Sequence, residues 1–62
     1  MNGKEVIARL EAAGWVLNRI RGSHHVMKKD GQPSVPVPVH GKQDLPAGVI
    51  SAIARQTGVK LK

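Results

Sequence analysis

The chain of 62 residues has no cysteine, no tyrosine and no phenylalanine, and its one aromatic ring besides three histidines is Trp15. Without cysteine there is no disulfide and no thiolate metal cluster. With a single indole there is no row of rings on which successive nucleobases could stack. Carboxylates are scarce too: four Asp and Glu face ten Lys and Arg, a formal net charge of +6. Such an excess points to an anionic partner, either nucleic acid or an acidic protein surface. No window holds the ~20 consecutive apolar residues of a membrane span. The first residues lack the apolar centre of a signal peptide, so the chain is read as cytoplasmic, with no membrane partner.

The length suits one domain, residues 1–62. A fold of this size buries only about 60% of the surface its unfolded chain exposes. Association with a partner is the remaining way to add stability.

Residues 3–13 read as a helix. Val6, Ile7 and Leu10 form an apolar stripe, Asn2 can cap the N-terminus, Glu5 suits the first turn and Gly14 the position after the last turn. From Trp15 the period changes. Residues 15–21 and 24–29 read as two strands joined by the tight turn Gly22 and Ser23, and Asp30 and Gly31 close the second. Trp15 is assigned to the core.

Residues 34–39 make a third strand with a geometric constraint. Pro36 and Pro38 share parity, so both missing N–H donors lie along one side of the strand. That suits an edge strand whose outer side is unpaired. Val35, Val37 and Val39 then pair inward, and the prolines discourage edge-to-edge aggregation. After a loop from His40 to Leu45, Pro46 suits the first turn of a second helix. Its core stripe is Val49, Ile50, Ile53, Ala54 and Thr57, and Gly58 ends it. The segment 60–62 reads as a frayed tail. The expected fold is α+β, in the order α-β-β-β-α: a three-stranded antiparallel sheet with two helices on one face and the other face open.

Chemistry centres on Gly22, Ser23, His24 and His25. Neighbouring strand residues point to opposite faces, so the two histidines address different sides. His24 is expected outward and Met27 inward. An imidazole ordinarily titrates at roughly pH 6.5 and moves protons in either direction near neutrality. RNA carries its own nucleophile, the 2′-hydroxyl. Its cleavage needs a base, an acid for the leaving 5′-oxygen and positive charge at the phosphate, without a metal. Arg19, Arg21, Lys28 and Lys29, with Ser23 at the turn, are the candidate RNA contacts. His40 is a candidate second proton-transfer group or a polar strand end. The three histidines lack the spacing of zinc motifs, and Ser23 lacks a spaced orienting acid for a Ser–His pair.

Gly14 and Trp15, Arg19, the run Gly22 to His25, the run Val37 to His40, then Asp44, Leu45 and Gly48 resemble the HicA toxins of HicAB toxin–antitoxin systems, over a stretch from about residue 3 to Gly58. The resemblance implies a double-stranded-RNA-binding-domain-like fold and a ribosome-independent mRNA interferase that arrests translation. It implies His24 as the catalytic residue. It also implies a HicB-type antitoxin that covers the active face and carries a DNA-binding segment, so that the toxin works as part of a hetero-oligomer. The chain departs from the family at Met27, where an aromatic is usual, and at Gly41, where proline is usual.

Two other functions fit the residues. A non-catalytic RNA-binding module would bind with salt-sensitive affinity and cut nothing. A protein-interaction domain would reserve its basic face for an acidic partner.

Overall fold

The computed structural model describes residues 1–61 and runs α1 (Gly3–Ala12), β1 (Val16–Arg21), β2 (His24–Lys28), β3 (Val35–Pro38) and α2 (Ala47–Thr57). The three strands form one antiparallel sheet in the order β1-β2-β3. This is the α+β architecture expected from the sequence.

Helix α1 is closed at both ends by local chemistry. The Asn2 side chain accepts from the Glu5 N–H at 2.9 Å, and the Glu5 carboxylate accepts from the Asn2 N–H at 2.8 Å, which makes a capping box. At the other end Gly14 takes φ +96°, and its N–H donates to the Glu11 carbonyl at 3.0 Å. The Trp15 N–H donates back to the Leu10 carbonyl at 3.0 Å. These two bonds are the Schellman pattern, and Leu10 and Trp15 join the core together, as that motif favours. Gly3 lies buried where α1 meets the end of β3. A Cβ there would collide with the Pro38 carbonyl and sit 3.0 Å from the Val39 Cα.

Strand β3 is an edge strand, as the proline parity requires. Val35 and Val37 are buried, and Pro36 is exposed. The Val39 N–H donates to the Ser23 carbonyl at 2.7 Å, so the valine donors point to β2. Helix α2 starts after Pro46 and stops at Gly58, whose φ is +73° and whose N–H donates to the Ala54 carbonyl. The core gathers Val6, Leu10, Trp15, Met27, Val35, Val37, Leu45, Ile50, Ile53 and Leu61.

Two expectations need correction. Leu61 is buried in that core, so residues 60–61 are a docked segment and not a frayed tail; Lys62 lies outside the described residues. The helices also fail to cover the whole sheet. All six residues of β1 are exposed, whereas β2 and β3 supply Met27, Val35 and Val37 to the core. Two helices of 10 and 11 residues seat on β3 and reach β2, which leaves β1 outside the apolar layer.

Candidate functional site

The face taken by the two arginines of β1 follows from one irregularity in that strand. Val16 opposes Lys28 and Leu17 opposes Met27, but the register then shifts so that Arg19 opposes Val26, Ile20 opposes His25 and Arg21 opposes His24. The extra residue is Asn18, a β-bulge. In a regular strand Leu17, Arg19 and Arg21 would share a face. Leu17 lies on the Met27 side, so without the bulge both guanidinium groups would point toward the helices. The bulge reverses the alternation. It turns Arg19 and Arg21 to the open face, beside His24 and Val26, and turns Ile20 to the helix side.

The turn between the strands fixes the other coordinate. Arg21 and His24 flank the two-residue loop of Gly22 (φ +59°) and Ser23, and among the described residues no non-glycine residue has positive φ. Positive φ at the first loop position alone fits a type II′ hairpin. Arg21, Ser23 and His24 are thereby held at one end of the sheet. His24 is exposed, and His25, on the opposite face, is half-buried.

His24 forms a wall common to two clefts. One, of about 460 Å³, is lined by Arg19, Arg21, His24, Val26 and Pro36. The other, of about 380 Å³, is lined by His24, Pro38, His40, Gln43, Asp44, Leu45 and Pro46. The second cleft exists because the loop after β3 is tied down. Asn2 forms an isolated bridge with Asp44, the Leu45 N–H donates to the Met1 carbonyl at 2.9 Å, and the Gln43 N–H donates to the His40 carbonyl at 3.1 Å. His40, 16 positions after His24 in the chain, thus comes to the same cleft.

The two lysines take a different place. Lys28 is on the open face but four residues from His24, roughly 13 Å along the strand at about 3.3 Å per residue. Its Nζ donates to the Gln32 carbonyl. Lys29 Nζ donates to the Ala13 carbonyl at 2.8 Å, where a cation satisfies an orphan acceptor at the C-terminus of α1. Both lysines line a third cleft with Gly14, Val16 and Asp30. The basic hairpin is therefore two groups: arginines beside His24 and lysines at the far end.

Gln43, Asp44, Pro38 and Pro46 line the His40 cleft but do not read as site residues in the sequence, because the loop carries no periodicity that would bring them to His24. The bulge had a signal: Leu17 and Ile20, both on the helix side, are three apart and not two. Among the described residues, no three His, Asp or Glu side chains gather to hold a metal ion, and no helix is long and apolar enough to cross a membrane.

The site offers an exposed imidazole between two guanidinium groups and a second imidazole, on a surface open to a large substrate. No curated protein matches the chain. A family model described as the HicA toxin of bacterial toxin–antitoxin matches residues 3–59.

Proposed function

Since the chain belongs to the HicA toxin family of bacterial toxin–antitoxin systems, we propose that it is an endoribonuclease that cuts mRNA at His24 without a metal and so inhibits translation. The observation that carries this reading is the place of His24 between the arginine cleft and the His40 cleft. A ribose–phosphate chain crossing the open face would pass both.

The chemistry balances with two proton-transfer groups. One imidazole removes the 2′-hydroxyl proton, and the 2′-oxygen attacks phosphorus. The bond from phosphorus to the 5′-oxygen breaks, and the second imidazole protonates that oxygen. The products are a 2′,3′-cyclic phosphate end and a 5′-hydroxyl end. His24 and His40 are the pair in this scheme, and general acid–base catalysis of this kind contributes roughly 10²–10⁴-fold for each group. Arg19 and Arg21 face the same side and stabilise the charge that builds on the phosphoryl oxygens. Ser23 adds a hydroxyl at the turn. Lys28 extends the cationic track on the open face, and Lys29 keeps further N–H donors for a more distant phosphate. The cognate partner is a HicB-type antitoxin that silences this face.

His24→Ala decides the reading. The variant is expected to fold, to bind RNA and to lose cleavage and growth arrest. Cleavage at the wild-type rate by the variant, or by neither protein with RNA still bound, would sink the catalytic assignment. Wild-type activity that disappears in EDTA would sink the metal-free mechanism.

A further inference from the structure

Strand β1 carries an apolar surface that the proposed RNA chemistry does not use. Among the described residues the exposed large hydrophobic side chains are Leu17 and Ile20, 45% and 55% exposed, and Val16, 61% exposed on the open face beside Lys28. Leu17 and Ile20 both point to the helix side, away from His24, because of the bulge at Asn18. They extend the Met27 layer past the limit of the two helices.

The backbone at the same residues is unpaired as well. In the two-residue hairpin Arg21 and His24 are a hydrogen-bonded pair, as are Arg19 and Val26 two positions on. The N–H and C=O groups of Ile20, and of Leu17 beyond the bulge, therefore face the open edge of the sheet. An edge with free ladder groups and apolar side chains is a seat for one more strand. The other edge, β3, has no such capacity, since Pro36 and Pro38 remove its outward donors.

We infer that β1 is the docking strand for the antitoxin, which adds an acidic edge strand to the sheet and lays apolar side chains over Leu17 and Ile20. The charge of the edge selects this occupant over a second copy of the chain. Arg19 and Arg21 project from β1 on the open face, so self-pairing would set arginines of two +6 chains close together. An acidic strand would meet them with opposite charge. It would also occupy the guanidinium groups that the RNA phosphate requires, so one added strand buries the apolar side and blocks the catalytic side of the same edge. This inference rests on membership of a toxin–antitoxin family and names the seat of the partner; it does not depend on the role of His24.

The probe is the protein encoded by the reading frame beside this one, co-expressed with the full chain. Amide hydrogen exchange of the complex against the free chain is expected to show new protection at Leu17 and Ile20 and little change in α2. The double variant Leu17→Ser, Ile20→Ser is expected to bind that protein at least tenfold more weakly while its RNA cleavage stays at the wild-type level. Circular dichroism confirms that it folds, and the single variant Ile20→Ser serves as a milder second variant. If the neighbouring product does not bind, if protection falls elsewhere, or if the double variant is neutralised like wild type, the proposal is overturned. A free chain that is dimeric and becomes monomeric in the double variant would overturn it in favour of a second copy. Loss of cleavage in His24→Ala with antitoxin binding intact keeps the two proposals separable.

Discussion

The sheet has two edge strands of opposite character. Strand β3 is short, buried on its valine side, roofed by both helices and closed on its outer side by two prolines. Strand β1 is longer, exposed at every residue, bulged and armed with arginines. One edge carries the stability of the fold and the other its contacts. A 62-residue chain has too little apolar surface to roof three strands, and the strand left outside is the one whose side chains flank His24.

The largest test of that contrast is at the seam of α1 and β3. Gly3→Ala is expected to cost about 3 kcal/mol, since its Cβ must displace the Pro38 carbonyl or the Val39 backbone. Urea denaturation measures it, and a loss under ~0.5 kcal/mol would mean that the seam is loose. Next come two identical substitutions on the two edges. Val37→Ala deletes buried methyl groups and is expected to cost about 2 kcal/mol, whereas Val16→Ala is expected to stay within about 0.5 kcal/mol. Equal midpoint shifts would erase the division between the edges.

The cationic groups allow a smaller but sharper comparison. Arg19→Ala or Arg21→Ala is expected to weaken RNA binding and lower the magnitude of the salt slope by about one, with little effect on stability. Lys29→Met is expected to do the reverse: about 1 kcal/mol of stability lost with the bond to the Ala13 carbonyl, and a minor change in RNA affinity. Filter binding at several salt concentrations, alongside thermal melts, separates the two patterns. The smallest expected change in stability is that of Pro36→Thr, within about 0.5 kcal/mol. It restores an outward N–H on β3, so light scattering is expected to show more self-association than for the wild type.

Much of the architecture was legible because it depends on local rules. The apolar stripes of the helices, the capping box of Asn2 and Glu5, the glycines after each helix and the hairpin at Gly22 and Ser23 are short-range features. The prolines of β3 even gave its place at the edge. The burial of Leu61 leaves no mark in the sequence, because a three-residue tail has no period to show that one side chain returns to the core. The exposure of β1 was hidden because Leu17 and Ile20 look like core residues in any scan of hydrophobicity. The site was legible in part. His24 and the arginines stand out by type and position. The lysines lie close to them in sequence, but four residues of extended strand carry them to the far end.

By itself the sequence determined the order of elements, the handed turns, the inner edge of β3 and the identity of the groups able to move protons, since each follows from steric limits or side-chain chemistry within a few residues. Only the tertiary structure decided which face each arginine took, that His40 shares a cleft with His24 and that β1 stands outside the roof. Those outcomes depend on one bulge, on contacts between residues distant in the chain and on how far two short helices extend over a sheet, none of which leaves a periodic trace.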